Sequence, residues 1–269
     1  MSSKGIYAAL SGAIAQGQRL DNISNNLANT NTPGFKKDQT VFREYLSNYE
    51  KLPTTLNVPR VPASVESFYD MQGADRGYAE AIGSFSDYSQ GTLLTTGNNL
   101  DIAIEGEGFL EVLTPQGVRF SRSGNLRVDS QGVLVNQSGF PVLKTGAQDP
   151  AQRVFNVRDS NVTISFNGDI YDRDENLGKL SIINFEEKDV LRKEGNSLFS
   201  LRPNTPATPI AAREYKIHQG YIESSNVNIV QEMTDMIAAN RLFESSQKAI
   251  KAFDQMDEKL NNEVPKTRA

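Results

Sequence analysis

Residues 229–260 read IVQEMTDMIAANRLFESSQKAIKAFDQMDEKL, and this stretch decides the fold. Its apolar side chains recur mostly at intervals of three, four or seven residues. That spacing places them on one stripe of an α-helix, and an apolar stripe has to be buried against a partner. The stripe consists of Ile229, Met233, Met236, Phe243, Ile250, Phe253 and Leu260.

The N-terminal residues carry a similar stripe and predict a second helix over residues 3–29. Gly12 and Gly17 weaken this helix, because an interior glycine costs about 1 kcal/mol relative to alanine. The simplest partner for each terminal helix is the other one, which predicts a coiled-coil-like stalk. The N-terminal stripe consists of Ile6, Leu10, Ala13, Leu20 and Leu27.

Polar residues define the ends and the seam of this predicted stalk. The run from Asn25 to Phe35 is dense in turn formers, and Pro33-Gly34 forces the chain to reverse. Asn226 is the expected cap of the C-terminal helix. At the seam, Asn240 and Gln247 would fix the register of the helix pair at some cost in stability.

The centre of the chain changes to the period of two that is typical of β-strands. Short apolar runs from about residue 92 onwards alternate with glycine-bearing turns such as Thr114-Pro115-Gln116-Gly117, and Asn167-Gly168-Asp169 predicts a hairpin. We therefore expect an α+β protein with a central antiparallel β-rich domain. The expected parts are a helix and turn (1–37), an extended connector (38–91), the β-rich domain (92–200), a return segment (201–225), a helix (226–261) and a tail (262–269). Within the connector we expect a helical piece around 41–49, followed by prolines at 53, 59 and 62.

Composition excludes several classes of function. The net charge is -5, which argues against a nucleic-acid binder that neutralises phosphates. The chain has no cysteine and one histidine, so thiol catalysis, disulfides and Cys/His zinc sites are excluded. No apolar run is long enough to span a membrane. The N-terminal residues lack the pattern of a cleaved signal peptide, so we expect none.

Two motifs resemble chemical sites, and each has a simpler structural interpretation. Asp172, Asp174 and Asn176 begin like a calcium loop, but Leu177 replaces the required glycine and Ile183 the chelating glutamate. Gly106-Glu107-Gly108 lacks the third glycine of a dinucleotide fingerprint, so these glycines more simply allow a bulge or a close strand approach.

Two further sites complete the chemical alternatives. Glu105 and Glu107 could form a glycosidase pair in principle, although neighbouring surface carboxylates are common. His218 has no second ligand or nucleophile beside it in the sequence, which favours an ordinary structural role.

Three signatures in this order resemble the bacterial flagellar rod and hook proteins over the whole chain. They are Asn25-Asn26-Leu27-Ala28-Asn29 through Thr32-Pro33-Gly34-Phe35-Lys36, then Thr96-Gly97-Asn98 through Gly108-Phe109, then Gly220 to Val227 with the helix that follows. Gly5-Ile6-Tyr7 and Met233-Thr234-Asp235-Met236-Ile237 resemble the proximal-rod subunit, and the distal-rod subunit is the alternative.

The resemblance implies a structural subunit without catalytic, metal or cofactor sites. It would leave the cell through the type III export apparatus, fold in the periplasmic rod of the basal body, and transmit torque. Its partners would be its own copies, neighbouring rod proteins and the bushing rings, with no nucleic acid. The expected assembly interface consists of Ile6, Leu10, Leu20, Asn26, Leu27, Phe35, Met233, Met236, Ile237, Phe243, Ile250, Phe253 and Leu260.

Two other classes of function remain as alternatives. A surface-binding module would use the β domain to hold a glycan or a protein while the helices form a closed oligomer. A glycan hydrolase would depend on Glu105 or Glu107.

Overall fold

The computed structural model describes residues 3–47, 55–56, 63–64, 76–146, 148–158, 162–173, 175–203 and 208–263. Pro53, Pro59, Pro62, Asp174 and residues 264–269 of the tail lie outside them, as does the side chain of Leu260. The chain forms two compact units. The terminal unit comprises Met1–Ser24, Gln39–Phe85 and Gln231–Ala269, and the β body comprises Asn25–Asp38 and Ser86–Val230.

The two predicted terminal helices are confirmed. Helix α1 is Ser3–Ala28 and helix α2 is Ile229–Glu263. An ideal Cβ on Gly5 would lie 2.8 Å from the Phe253 ring, and one on Gly12 would lie 3.9 Å from Ser246 Oγ. Closer to the other end of α1, Arg19 Nη2 lies 4.0 Å from Asp235 Oδ1. Residue numbers therefore rise along α1 as they fall along α2, and within the terminal unit these parts of the helices run antiparallel.

The seam residues of α2 differ from the prediction. Asn240 and Gln247 are exposed, whereas the preceding residues Ala239 and Ser246 are buried and partly buried. The prediction that the two polar side chains lie in the seam was wrong by one position. Because an α-helix advances 100° per residue, one position is enough to turn a side chain out of a narrow stripe.

The connector contains strands where a helical piece was expected around residues 41–49. Strand β1 (Asp38–Ser47) pairs with β4 (Arg76–Ser86), and β2 (Thr55–Leu56) pairs with β3 (Ala63–Ser64). The helical prediction was wrong because Thr40, Val41 and Phe42 favour a strand once a partner is present. That partner lies some thirty residues further along the chain, beyond the reach of local periodicity.

The β body is antiparallel throughout and contains β5 to β19. Six strands form one sheet in the order β15-β16-β8-β7-β14-β17, and three form a second sheet in the order β11-β12-β13. The pairs β9-β10, β6-β18 and β5-β19 complete it. The strands are β5 Leu93–Thr95, β6 Ile102–Gly106, β7 Phe109–Thr114, β8 Gly117–Ser121, β9 Leu126–Val128, β10 Leu134–Asn136, β11 Val162–Ile164, β12 Asp169–Asp172, β13 Glu175–Lys179, β14 Ile182–Asn184, β15 Leu191–Gly195, β16 Leu198–Leu201, β17 Ile210–Ala211, β18 Tyr215–Gln219 and β19 Tyr221–Glu223.

Strands that lie far apart in sequence close this body. Strand β18 pairs with β6 over five residues, from Tyr215 opposite Gly106 to Gln219 opposite Ile102. Residues 201–225, expected as a return segment, thus contribute β17, β18 and β19.

The predicted turn between β7 and β8 is confirmed, with the Thr114 hydroxyl donating to the Gly117 carbonyl at 2.7 Å. Residues 141–144 make only isolated bridges.

The core of the body has an aliphatic and an aromatic part. The aliphatic part surrounds Ile102, Leu134 and Ile170, each at most 1% exposed. The aromatic part joins Phe109, Phe120, Phe185 and Phe199, whose neighbouring rings are 4.9–6.4 Å apart between centroids. Burial on this scale gives the body a core of its own.

Gly124 allows two backbones to touch at the edge of the aliphatic core. An ideal Cβ on Gly124 would lie 1.7 Å from the Ile102 carbonyl oxygen, which belongs to the backbone of β6. The Gly124 carbonyl accepts a hydrogen bond from the Ile102 amide at 2.9 Å. A side chain at this position therefore forces β6 away from residue 124.

We predict that Gly124→Ala destabilises the β body by at least about 2 kcal/mol, because overpacked backbone cannot relax as a side chain can. Urea denaturation followed by far-UV circular dichroism measures the change. Gly146→Ala is the matched control, since its Cβ meets only the flexible Arg153 side chain at 3.5 Å. Equal stability of the two variants would contradict the close approach.

Candidate functional site

Three segments of the β body meet around one buried carboxylate, and we call this place the junction. It comprises Gly34–Asp38 from the N-terminal segment, Ser86–Gly91, and Glu223–Asn226, together with Arg122 and Lys193. The first segment follows α1 in sequence, and the last precedes α2. The junction therefore ties together the two stretches of chain that lead to the terminal helices.

Glu223 is the centre of the junction, and its side chain is completely inaccessible to solvent. Its Oε1 accepts from Lys36 Nζ at 2.5 Å and from the Gly91 amide at 3.0 Å, and its Oε2 accepts from Arg122 Nη1 at 3.3 Å. A buried carboxylate is tolerated only when it is paired and hydrogen-bonded, and both conditions hold here.

The two cations are held by backbone carbonyls as well. Lys36 donates to the Ser89 carbonyl at 2.7 Å, and Arg122 donates to the carbonyls of Ile104 and Gly106. Burial lowers the pKa of Lys36 and of Arg122, and the charge of Glu223 opposes the shift in both. The lowered pKa values reflect the removal of both cations from water.

The N-terminal turn approaches the body so closely that residue 34 has to be glycine. Gly34 has a φ of +68°, and its ideal Cβ would lie 2.4 Å from the Ser123 amide nitrogen. Its own amide donates to the Glu223 carbonyl at 2.8 Å. The prediction of a turn with a positive φ at Gly34 is therefore confirmed.

Phe35 and the backbone after it are covered by strand β15. The Lys193 ammonium lies 4.3 Å from the centroid of the Phe35 ring, donates to the Lys36 carbonyl, and pairs with Asp38 Oδ2 at 2.8 Å. Burial lowers the pKa of Lys193, and Asp38 opposes the shift. The cation thus recognises both a side chain and the backbone of the N-terminal segment.

At the junction, the side-chain amides of two asparagines make hydrogen bonds to backbone groups. Asn26 donates to the Asp38 carbonyl at 2.8 Å and accepts from the Asp38 amide at 2.9 Å. Asn226 accepts from the Lys37 amide at 2.7 Å and donates to the Asp87 carbonyl at 2.8 Å. The prediction that Asn226 caps the C-terminal helix was wrong, because its amide joins two other segments and α2 begins at Ile229.

Tyr88 anchors the middle segment in the aromatic core. Its ring lies edge-on to Phe109 at 5.9 Å and tilted against Phe199 at 5.7 Å, measured between centroids. Burial raises the pKa of the Tyr88 phenol to about 12. The flanking carbonyls of Asp87 and Ser89 are therefore held in place to accept from Asn226 and Lys36.

The expected interface residues fall into three groups by exposure. Asn26 and Phe35 are buried inside the subunit. Leu10, Met233 and Ile237 are exposed at 43%, 49% and 55%. The remaining members with a described side chain are partly buried, namely Ile6, Leu20, Leu27, Met236, Phe243, Ile250 and Phe253.

The candidate carboxylates on the surface have partners that keep them ionised. His218 Nε2 lies 2.7 Å from Glu105 Oε2, and this hydrogen bond lowers the pKa of Glu105. Hydrogen bonds from Lys188 and Asn184 lower the pKa of Glu107. A glycosidase general acid needs a raised pKa, so neither carboxylate has the environment of that role.

The other motifs have structural roles. An ideal Cβ on Gly106 would lie 2.6 Å from the Glu214 carbonyl oxygen, and one on Gly108 equally close to the Ile182 side chain, which confirms a close strand approach. Asp172 accepts from the Arg158 amide, and Asn176 from the Gly178 amide, within and beside the β12-β13 hairpin. Across the described ranges, no group of three or more acidic or histidine side chains could hold a metal ion.

The sequence gives little sign of Arg122, Lys193 and Glu223 as site residues. Charged side chains are expected at the surface, and periodicity identifies only apolar positions. Lys36 and Glu223 belong to stretches quoted for their resemblance, but their contact across 187 positions has no local signal.

A chain with a packed β body, a fixed junction and half-covered helices has the features of an assembly subunit. No helix in the described ranges is both long and apolar enough to span a membrane. Residues 6–36 match the flagella basal body rod protein family, residues 103–172 the flagellar hook protein FlgE/F/G D1 domain, and residues 218–263 the flagellar basal body rod FlgEFG protein C-terminal family.

Relatives match almost the whole chain. The rod protein FlgG of Buchnera aphidicola subsp. Schizaphis graminum is 30% identical over 95% of this chain and 98% of its own length. FlgG of Agrobacterium fabrum is 32% identical over 94% and 96%, and FlgF of Caulobacter vibrioides is 31% identical over 89% of each. The chain belongs to the flagellar basal-body rod proteins and is a structural rod subunit of the FlgF/FlgG type.

We predict that Tyr88 contributes a pH-dependent part of the stability. Because its pKa is about 12 in the folded chain and 10 when unfolded, the contribution is complete below pH 10 and is lost as the pH rises towards 12. The two-unit shift corresponds to about 2–3 kcal/mol. Tyr88→Phe should remove this part of the alkaline loss, as measured by urea denaturation from pH 9 to about 12.

The exposed Tyr221→Phe is the control for Tyr88→Phe and should follow the wild type. Comparison with the wild type also cancels the titration of groups that both proteins share. Parallel stability curves for Tyr88→Phe and the wild type would contradict the prediction.

Proposed function

We propose that the chain is a subunit that self-assembles through its terminal helices into the helical tube of the rod, which transmits torque. The observation that carries this proposal is the presence of two apolar stripes on the helices. One stripe is partly covered within the terminal unit, and the other is exposed.

The inner stripe supports a coiled-coil-like pairing of α1 and α2. Phe253 packs against Gly5, Ser246 lies opposite Gly12, and Asp235 lies close to Arg19. The contacts on α1 are seven residues apart, whereas those on α2 are seven and eleven apart, so Phe253 and Ser246 keep the seven-residue repeat of a helix pair. Phe243 and Ile250 are partly buried and lie within this repeat.

The outer stripe supports contacts with neighbouring copies. Tyr7, Leu10 and Ile14 share one face of α1 and are 56%, 43% and 57% exposed. Met233 and Ile237 share one face of α2 and are similarly exposed. A contact between two different patches forms a ring if its rotation closes, and otherwise repeated copies of it form a helical filament.

The size of the outer stripe favours assembly over a stable dimer. Covering the exposed half of five apolar side chains contributes about 5 kcal/mol to the free energy of association. Association costs about 4–15 kcal/mol in lost freedom of motion. A single contact therefore does not hold two copies together, whereas a subunit that contacts several neighbours in a tube is stably bound.

The family gives the setting in which these contacts would form. We place the subunit in the periplasmic rod of the basal body, with other rod proteins and its own copies as neighbours and the bushing rings around it. Export through the type III apparatus suits helices that gain part of their stability only on assembly. We assign no catalytic function to the subunit.

Within the family we propose the proximal-rod subunit, FlgF, with the distal-rod subunit FlgG as the alternative. Gly5-Ile6-Tyr7 and Met233-Thr234-Asp235-Met236-Ile237 support the first assignment. The end-to-end similarity to proteins named FlgG is the reason for keeping the second.

We expect this chain to restore swimming to a strain of its own source species that lacks its FlgF gene, and to leave a strain lacking its FlgG gene non-motile. Soft-agar spreading and electron microscopy of basal bodies measure the outcome. The opposite pattern would establish the distal-rod assignment, and the parental gene in each strain is the control.

We predict that Ile237→Asp abolishes assembly without unfolding the subunit, because it places a charge in the outer stripe. The purified variant should match the wild type in circular dichroism and thermal unfolding, while cells that carry it should neither swim nor build a rod. Ser245→Asp, exposed on α2 but about 80° around the helix from Ile237, is the matched control and should swim normally. Normal motility of Ile237→Asp would contradict the role of the outer stripe.

Phe243→Asp should behave differently, because Phe243 lies in the inner stripe. We expect it to abolish swimming and also to loosen α1 and α2, seen as faster proteolysis of residues 1–24 and of those after 231, with the β body intact. The control is Gln247→Asp, which adds the same charge at an exposed position of α2. Unchanged proteolysis would contradict the pairing of the helices.

A further inference from the structure

The junction combines Glu223 and its fixed partners with a segment that packs on them, and both belong to the β body. We propose that the place around Glu223 is a peptide-recognition site, whose ligand is a segment of the type Gly-aromatic-Lys that turns at its glycine. In this chain the site is filled by Gly34–Asp38, which we call the arm. The arm binds and leaves as a unit while the rest of the β body stays folded. This proposal does not depend on rod assembly.

The receptor side of the site is fixed without the arm. Arg122 and the Gly91 amide hold the two oxygens of Glu223, and the Ile104 carbonyl holds Arg122 in turn. The Asn226 amide donates to the Asp87 carbonyl at 2.8 Å. Glu223 and Asn226 are therefore oriented by contacts that the arm does not supply, which is what preorganisation requires.

The arm is recognised at each of four successive residues. The Gly34 amide donates to the Glu223 carbonyl, and Phe35 lies against the Lys193 ammonium. Lys36 donates to the Glu223 carboxylate, and the Lys37 amide donates to Asn226 Oδ1 at 2.7 Å. Backbone contacts at Gly34 and Lys37 thus flank two side-chain contacts, and peptide recognition commonly combines both kinds.

The charges make release of the arm tolerable. With the arm bound, two buried cations share one carboxylate, and the Ser89 carbonyl helps to hold the second cation. When the arm leaves, Lys36 leaves with it and Arg122 and Glu223 remain as a balanced pair, while Lys193, whose side chain is 23% exposed, loses Asp38 as its counter-ion. Loss of Lys36 therefore leaves no unpaired charge around Glu223, whereas loss of Glu223 leaves two cations buried without a counter-ion.

Hydrogen exchange of the full-length protein tests this asymmetry. In Lys36→Met the amides of Gly34, Lys37 and Asp87 should exchange at least about tenfold faster, because all three bonds depend on the bound arm. The amides of Leu113 and Val142 in the body should keep their wild-type rates. Lys37→Met is the matched control and should leave both groups unchanged, since only its backbone contacts the site.

Two results of the exchange experiment overturn the proposal. In the first, the arm amides keep their wild-type rates in Lys36→Met, which means that Lys36 does not hold the arm. In the second, arm and body amides accelerate together, which means that the arm is not a separate unit. Glu223→Gln provides a second comparison, and it should accelerate the body amides as well as those of the arm.

A labelled peptide of residues 30–38 tests recognition directly. Fluorescence anisotropy should detect binding of this peptide to the Lys36→Met protein at protein concentrations of up to about 1 mM. That is the range of effective concentration that a tethered segment of the same chain has. The wild type should bind the peptide at least about tenfold more weakly, because its own arm fills the site. A peptide with methionine at position 36 should not bind. Equal binding to both proteins, or to neither, would show that the site recognises no free peptide and overturn that part of the proposal.

Discussion

The buried carboxylate of Glu223 is the constraint on which the arrangement of the β body's terminal segments depends. A lone buried charge is so costly that its partners have to be brought to it, and here they come from three distant parts of the sequence. Lys36 comes from the segment after α1, Arg122 from the end of strand β8, and the Gly91 amide from the segment before β5. Removing one partner of such a pair typically costs about 3–5 kcal/mol, so the pair fixes which segments meet more than it adds net stability.

Apolar burial and polar specificity are separated within this chain. The body's core holds side chains such as Leu134 and Phe199, which are at most 1% exposed and give cohesion without selecting a partner. The junction determines which segments meet, because Gly34, Asn226 and Glu223 each accept only one geometry of their partners. Helices α1 and α2 carry partly covered stripes instead, and an exposed apolar face is what a subunit needs if its neighbours are to complete it.

The sequence predicts the elements whose signal is local. The helix over 3–28 and most of α2 follow from apolar spacing, and the turns at Gly34 and Gly117 follow from residue type. Strand β1 was not predicted because its partner β4 lies beyond a long insertion, and the buried charges were not predicted because a charged residue alone indicates a surface. Asn240 and Gln247 were placed one position away from the seam, which is the usual error of a periodic argument along a long helix.

The nature of the buried cations follows from what each one has to hold. Arg122 reaches a carboxylate and two carbonyls at once, which needs the fixed fork of a guanidinium. Lys36 reaches one carboxylate oxygen and one carbonyl, which a compact ammonium on a flexible stem can do while it enters from a separate segment. The rigid cation thus belongs to the body and the flexible one to the segment that docks on it. If the arm leaves as a unit, as we propose, that division lets the body keep its own ion pair while the N-terminal segment is released.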